Sequence, residues 1–283
     1  MNYKIVLMSD VAESLLQAAS TGTIHSVYGR TINLAVGGRL LSLQSAGSVL
    51  SPISLITDLS SDDMSRLWVQ KGAAVRLGRA CIELQNVKLS LADAQRRDLS
   101  CLGPLSNLDI ELLHYNIKLS ISHADTIGFD NIFIGNIQSA VLEYAHNYIQ
   151  KCKIEFLAKN YSTAATALCR LVGLGQGLTP SGDDFLCGVL AGLTLTARAS
   201  SPFAKQLRQT LQSRLADTND ISRAFLQCAI DNQYSQPVFE LAEYQSHREI
   251  LDSFKRIGHS SGIDTLCGIL YALELYRAEQ PQQ

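Results

Sequence analysis

The residues of this chain best suited to chemistry fall in two short segments that share much of their sequence. Residues 173–188 read Gly-Leu-Gly-Gln-Gly-Leu-Thr-Pro-Ser-Gly-Asp-Asp-Phe-Leu-Cys-Gly, and residues 258–268 read Gly-His-Ser-Ser-Gly-Ile-Asp-Thr-Leu-Cys-Gly. Between residues 178–193 and 258–273, eight of sixteen aligned positions are identical, whereas composition alone would give roughly one. Each segment places glycines, hydroxyls and carboxylates before an apolar helical run. The pattern predicts two helix N-termini that hold a polar group.

One interpretation of the shared residues is purely structural. Ser181 and Asp184, like Ser261 and Asp264, have the Ser-x-x-Asp spacing of a capping box, in which each side chain bonds a free N–H of the first helical turn. The glycines at 188 and 268 would allow two helices to cross closely. This interpretation leaves six features unexplained, namely Gly173, Gly175, Gly177, Thr179-Pro180, Asp183 and His259.

The unexplained residues favour a binding site. Glycines ahead of a helix leave backbone N–H groups accessible, and a helix N-terminus carries about half a positive charge, so carboxylate or phosphate is the favoured ligand. If the two helices cross at their glycines, both N-termini line one cleft. The candidate ligand-binding residues are then Gly175, Gly177, Thr179, Ser181, Gly182, Ser260, Ser261, Gly262 and Thr265.

Acidic residues beside a predicted anion site indicate either proton transfer or a bridging Mg²⁺ ion. The candidate catalytic residues are Asp183, Asp184, His259 and Asp264. The three aspartates are also the candidate ligands of a magnesium ion, the weaker of the two interpretations because all three could instead cap helices.

Two formal motif matches do not fit their context. The glycines of residues 173–177 follow a helical pattern and lack the Gly-Lys-Ser/Thr ending of a phosphate loop. Residues 258–262 match a nucleophile elbow, but a helix precedes them and no histidine follows to complete a triad.

Composition excludes several classes of protein. The 283 residues are 46% apolar and 18% charged with a net charge of −2, so a sizeable core is expected and a basic nucleic-acid-binding surface is not. The N-terminal apolar stretch is too short for a signal peptide, and no apolar run approaches the roughly 20 residues that span a bilayer. Seven cysteines without metal-ligand spacing favour reduced thiols. We therefore expect a soluble cytoplasmic protein that binds neither nucleic acid nor membrane.

Hydrophobic periodicity predicts an α+β protein, with a β-rich front half packed on a helical back half. A short helix is predicted at 10–20. Period-two alternation predicts strands at 32–36, 40–44, 75–77, 82–84, 87–91, 108–112 and 117–121, forming a barrel or a sandwich. Helical periodicity follows residue 135, with helices at 182–198, 204–216, 220–231, 237–246, 248–257 and 263–278. The predicted domains are residues 1–128 and 129–283.

The two glycine-rich segments resemble the family that contains the AllH subunit of oxamate carbamoyltransferase. The shared patterns are Gly-x-Gly-x-Gly-Leu-Thr-Pro-Ser-x-Asp-Asp-x-Leu-x-Gly at 173–188 and Gly-His-x-Ser-Gly-x-Asp-Thr-Leu-x-Gly at 258–268. Looser matches extend the resemblance over most of the chain, at Arg30-x-Ile-Asn33, at 37–43 and at Thr218-x-x-x-Ser222. Arg30 is then either an edge arginine in solvent or a clamp for a substrate carboxylate, with Asn33 beside it.

The resemblance implies a role in anaerobic allantoin breakdown, in which oxalurate and phosphate interconvert with oxamate and carbamoyl phosphate. The chain would be one subunit of a carbamoyltransferase-like assembly and would bind one of these small anions. The Ser-Thr-Arg-Thr-Arg carbamoyl-phosphate signature of aspartate- and ornithine-type carbamoyltransferases is absent. The chemistry would therefore follow another design or depend on partner chains.

Two other functions remain open from the sequence. A stand-alone Mg²⁺-dependent hydrolase would be loosely similar to ADP-ribosylglycohydrolases, which share Asp-Asp and Gly-x-Asp-Thr loops on a helical core. A non-catalytic assembly scaffold would use the motifs only as helix caps and helix contacts.

Overall fold

The computed structural model describes residues 2–100, 103–125, 127–258 and 260–280, and the chain divides into two compact units, Met1–Leu99 and Ser100–Gln283. The first unit is a β-barrel and the second is all-helical. The sequence placed the boundary between 128 and 129. The difference arises because the segment after Ser100 packs with the helices that follow it.

The first unit contains nine strands and two short helices among its described residues. The strands are β1 (Asn2–Ser9), β2 (Thr21–Val27), β3 (Thr31–Val36), β4 (Arg39–Gln44), β5 (Ser54–Thr57), β6 (Ala74–Leu77), β7 (Cys81–Leu84), β8 (Val87–Ser90) and β9 (Gln95–Arg97). The helices are α1 (Asp10–Ala18) and α2 (Ser61–Ser65). Strands β3, β4, β6, β7 and β8 and helix α1 confirm the predicted elements of this region.

Strand order explains why the sheet closes. The neighbours run β5-β4-β3-β2-β6-β7-β8-β1, and β1 also pairs with β5, so eight strands form a ring with β9 attached to β1. Gly37 and Gly38 join β3 to β4 with φ of 55° and 77°, the left-handed pair that a two-residue hairpin turn requires. The barrel interior is filled by alternating apolar side chains such as Ile32, Leu34 and Ile82. A barrel, not a sandwich, is therefore the fold of this unit.

The second unit carries the remaining helices. They are α3 (Asn107–Ser122), α4 (Asp130–Phe133), α5 (Ala140–Leu157), α6 (Tyr161–Leu168), α7 (Ser181–Leu195), α8 (Pro202–Arg214), α9 (Asp220–Ile230), α10 (Gln236–Phe239), α11 (His247–Lys255) and α12 (Ser261–Glu279). The helices predicted from residue 182 onward correspond to α7 through α12. None of the described helices is both long and apolar enough to cross a bilayer.

The strands predicted at 108–112 and 117–121 are wrong, because this segment is helix α3. One face of α3 buries Ile110, Leu113 and Ile117, while Leu108 and Leu112 are 79% and 59% exposed on the other. Apolar residues on both faces of a helix imitate the alternation of a strand, so periodicity alone could not separate the two.

Candidate functional site

The two copies of the repeated motif form the central helix pair of the second unit. Helices α7 and α12 begin at Ser181 and Ser261, and they cross at Gly188 and Gly268. A Cβ on Gly188 would overlap the carbonyl oxygen of Thr265, and a Cβ on Gly268 would overlap that of Phe185. Only glycine permits this approach, and the crossing expected from the sequence is confirmed.

The Ser-x-x-Asp repeats are not capping boxes. Ser181 and Ser261 are the first residues of their helices, and the N-cap positions fall on Pro180 and Ser260. Neither cap residue makes a side-chain cap hydrogen bond. The carboxyl groups of Asp184 and Asp264 are therefore not used to cap the helices, and the structural interpretation of the repeat is wrong on this point.

A pair of hydroxyl groups joins the starts of the two helices. The Oγ1 atom of Thr179 lies 2.6 Å from the Oγ atom of Ser261. Both side chains are half-buried. Residues from the two copies thus meet, as the sequence predicted for one shared cleft.

The glycines before α7 fold the chain over the beginning of that helix. Gly173, Gly175 and Gly177 have φ of 73°, 127° and 92°, values that side-chain-bearing residues rarely adopt. A Cβ on Gly175 would lie only 2.6 Å from the backbone nitrogen of Ser181. The N–H of Gly182 donates to the carbonyl oxygen of Leu174 at 2.8 Å. The loop therefore covers the N-terminus of α7 and takes one of its backbone donors.

The first backbone N–H groups of α12 differ from those of α7 in their hydrogen bonds. Among the residues that the structure describes, the backbone N–H groups of Ser261, Gly262 and Ile263 have no hydrogen-bond acceptor. The carbonyl of Ser260 accepts only from the fourth residue, Asp264, at 2.9 Å. The N–H of Ser181 at the start of α7 likewise has no acceptor among the described residues, so the two helix starts differ at their second and third N–H groups.

Asp183 is 1% exposed and has all of its acceptor capacity directed at protein groups. Its Oδ1 accepts from the N–H of Gly173 at 2.9 Å, and its Oδ2 accepts from the hydroxyls of Thr218 at 2.6 Å and Ser222 at 2.7 Å. Burial raises the pKa of Asp183, and these three hydrogen bonds act in the opposite direction. The side chain ties the glycine loop to the start of α9.

Asp184 and Asp264 differ from Asp183, because each has one buried oxygen without a partner. The Oδ2 atoms of both lack any hydrogen-bond partner among the described residues, although Asp184 is only 9% exposed and Asp264 is fully buried. The other oxygen of Asp264, Oδ1, accepts from the N–H of Phe129 at 2.6 Å. An unsatisfied buried acceptor costs about 1–3 kcal/mol, and protonation of the carboxyl groups, which burial favours, reduces that cost.

The electrostatics of the acid pair favour its uncharged forms. Burial, followed by the charge of Asp264, raises the pKa of Asp184 well above 3.8, while the hydroxyls of Ser261 and Thr179 oppose the shift. Burial raises the pKa of Asp264 to about 6, against the Phe129 N–H and the hydroxyls of Ser181 and Ser260. The sequence-level assignment of proton transfer to these acids remains a prediction.

A third chain segment reaches the acid pair and was missed by the sequence analysis. Besides the bond from Phe129, Gly128 lies so close to Asp264 that a Cβ would overlap the carboxyl Oδ1. Asp130 is 2% exposed, and its charge adds to the raised pKa of Asp264. The only signal in the sequence was a Gly-x-Asp turn before a short helix, which has no distinctive spacing.

The described residues do not form the predicted magnesium site. No group of three or more histidine, cysteine, aspartate or glutamate side chains among them is placed to hold a metal ion. Asp183, one of the three predicted ligands, points its oxygens at Gly173, Thr218 and Ser222 instead. Three nearby aspartates in the sequence thus have two different surroundings in the fold, and the magnesium site stays a prediction.

The other predicted residues divide into three groups. Thr265 bonds the carbonyl of Ser261 at 2.8 Å, and Gly182 and Gly262 allow close contact with the carbonyls of Leu171 and Phe254. In the barrel unit, Arg30 is exposed and Asn33 is buried, bonding Ser26 at 3.0 Å and Ser42 at 2.6 Å. His259, a predicted catalytic residue, lies outside the described residues.

Comparison with known families covers both units. Residues 4–96 match the AllH family N-terminal domain, and residues 171–273 match the model described as oxamate carbamoyltransferase subunit AllH. The second match contains both helix starts and the crossing glycines. No solved structure significantly matches the chain. Because the two matches together span most of its length, the chain belongs to the AllH family.

Proposed function

We propose that this chain is a subunit of an oxamate carbamoyltransferase of allantoin breakdown, and that it binds a small anion at the N-terminus of α12. The ligand is oxamate, oxalurate, carbamoyl phosphate or phosphate. Family membership supports the first part, because the matching family is described as a subunit of that enzyme. The same description implies that other chains complete the assembly.

The observation that carries the binding site is the combination of open donors and unpartnered acids at one helix start. Three backbone N–H groups of α12 have no acceptor among the described residues, and a helix N-terminus stabilises negative charge. Helical side chains lean toward the N-terminus of their helix, which brings the Asp264 carboxyl toward the same end. In a scaffold whose motifs only cap helices, these N–H groups and carboxyl groups would be paired with each other.

Each side chain around the site has a distinct part in this proposal. Thr179 and Ser261 hold the two helix starts together, and Asp184 and Asp264 face the ligand with hydrogen-bonding groups. His259 remains a candidate for a further contact with the ligand. Carbamoyl transfer itself takes place with the partner chains present, and we assign it no magnesium ion.

Isothermal titration of the chain with each anion, alone and with its partner subunits, tests the proposal. The decisive variants are Ser260→Asp and Ser260→Asn, because the two new side chains have nearly the same size and shape and differ in charge. The added carboxylate competes with a bound anion, so Ser260→Asp should weaken binding at least tenfold, while Ser260→Asn stays close to wild type. Absence of binding under every condition, or equal binding by both variants, would contradict the anion site.

A further inference from the structure

Helix α3 has an apolar stripe on the side opposite to its buried face. Leu108, Leu112 and Tyr115 are 79%, 59% and 63% exposed. Leu119, at the end of the same row, is partly exposed. The buried face of α3 packs on α11 and α12. Neighbouring large apolar side chains that lie in solvent indicate an interaction surface.

The spacing of the stripe is that of a seam between two helices. Residues 108, 112, 115 and 119 follow one another at intervals of four, three and four, which places their side chains in one row along a helix. The intervals are symmetric about the middle of the row, so a second α3 running antiparallel meets the first in the same register. Leu108 of each copy then lies opposite Leu119 of the other, and Leu112 lies opposite Tyr115.

The charges beside the stripe fit the same arrangement. Glu111 and Lys118 are exposed on one flank of the stripe, seven residues apart. A twofold axis between antiparallel helices brings equal flanks together, so Glu111 of each copy faces Lys118 of the other. Glu111 also accepts a hydrogen bond from Arg277 at 2.9 Å, and its side chain remains 54% exposed. Two symmetric ion pairs would therefore border the apolar contact.

We propose that the stripe of α3 is an interface between two copies of this chain, which associate through an antiparallel pair of α3 helices. The dimer goes beyond the proposed function and does not depend on the ligand. A parallel pair fits the charges less well, because it would set Glu111 beside Asn116, which is uncharged and 9% exposed. Antiparallel helices also bring the positive end of one helix dipole to the negative end of the other.

The strength of association is limited by the size of the contact. One pair of helices buries less surface than a standard protein interface, so we expect a dissociation constant of about 1–100 µM. Sedimentation equilibrium of the full chain over this range of concentrations measures it. Leu112→Gln should raise the dissociation constant at least tenfold, because each dimer loses two apolar contacts at its centre.

Charge reversal tests the antiparallel register. Glu111→Lys and Lys118→Glu each place like charges opposite one another in a dimer of the variant, so each should dissociate at least tenfold more readily than wild type. An equal mixture of the two variants restores opposite charges at both contacts and should form a heterodimer. Lys151→Glu reverses an exposed lysine on α5 and is the control. Circular dichroism verifies that each variant is folded.

The outcomes separate this interface from other uses of the stripe. A wild type that stays monomeric up to about 100 µM overturns the proposal. So does a dimer that Leu112→Gln leaves unchanged, or a charge-variant mixture that associates no better than its components. Binding of another subunit or of lipid vesicles that Leu112→Gln abolishes, with the wild-type chain monomeric, would assign the stripe to that partner instead. If Leu112→Gln does not fold, the mixture of charge variants decides the question.

Discussion

The starts of α7 and α12 are built from the same motif but differ in what surrounds them. At α7 a glycine loop closes over the helix, and Asp183 ties that loop to α9 through three hydrogen bonds. At α12 the corresponding position is Ile263, which is fully buried, and among the described residues no acceptor takes up the N–H groups of Gly262 and Ile263. The first copy is thus covered by its own chain, and the second copy lacks the carboxylate that ties down the covering loop.

The residues of the repeated motif have three different roles. The glycines at the crossing are shared and hold both helices together. Asp183 is specific to the first copy and acts on the fold of its loop. Asp184 and Asp264 are shared, and one buried oxygen of each has no hydrogen-bond partner among the described residues.

The largest expected effect concerns the feature that both copies share. Gly188→Ala and Gly268→Ala should each destabilise the protein by about 3–5 kcal/mol or prevent folding, because the added methyl overlaps a backbone carbonyl of the other helix. Urea unfolding of the two variants measures the effect. Gly103→Ala is the control, since no atom lies within 4 Å of its added Cβ. Losses below about 1 kcal/mol would mean that the helices can separate at little cost.

The next effect distinguishes the first copy from the second. Asp183→Ile gives the first copy the residue of the second, and should cost about 3 kcal/mol because the N–H of Gly173 and two hydroxyls lose their acceptor. Asp183→Asn retains one acceptor oxygen and should cost roughly 1 kcal/mol. Chemical unfolding and amide exchange at Gly173 follow the change, with exposed Asp252→Asn as control. Slow exchange at Gly173 in the isoleucine variant would show that Asp183 does not hold the loop.

The third variant, Asp264→Asn, should stabilise the protein, by an amount that depends on pH. A folded-state pKa of Asp264 raised to about 6 means that the folded protein binds this proton more tightly than the unfolded chain does. The wild type therefore loses stability as pH rises from about 4 through 6, by up to roughly 3 kcal/mol. Asp264→Asn lacks this group, so its free energy of unfolding should exceed that of wild type at pH 8.

Unfolding at pH 4 and pH 8 provides the measurement for this third effect. The advantage of the asparagine variant should shrink toward zero at pH 4, where the wild-type carboxyl is protonated in the folded state. The control is Asp252→Asn, which changes an exposed acid on α11. A constant difference at both pH values would mean that burial does not shift the titration of Asp264.

Much of the fold was predictable from local patterns. Gly37-Gly38 between two alternating segments indicated the β3–β4 hairpin, because a left-handed pair is required there. The matching glycines at 188 and 268 indicated a helix crossing. Helix α3 was not predictable, since its exposed Leu108 and Leu112 made both faces apolar. The periodicity of a helix is visible only when its two faces differ in polarity.

The candidate site was predictable in its residues but not in their roles. Thr179, Asp184, Ser261 and Asp264 come together as the repeat indicated. The sequence grouped Asp183 with these residues, although it bonds the glycine loop. Two consecutive aspartates look alike in a sequence, and their neighbours in the fold are not visible there.

The sequence by itself determined the barrel strands, the paired helices and the segments that meet between them, because those depend on periodicity and on glycine geometry. Only the tertiary structure decided which acid is satisfied and which is not. The partners of Asp183 lie 35 and 39 residues away at Thr218 and Ser222, and the partner of Asp264 lies 135 residues away at Phe129. Hydrogen bonds of that range depend on how distant segments pack, and a local pattern contains no information about them.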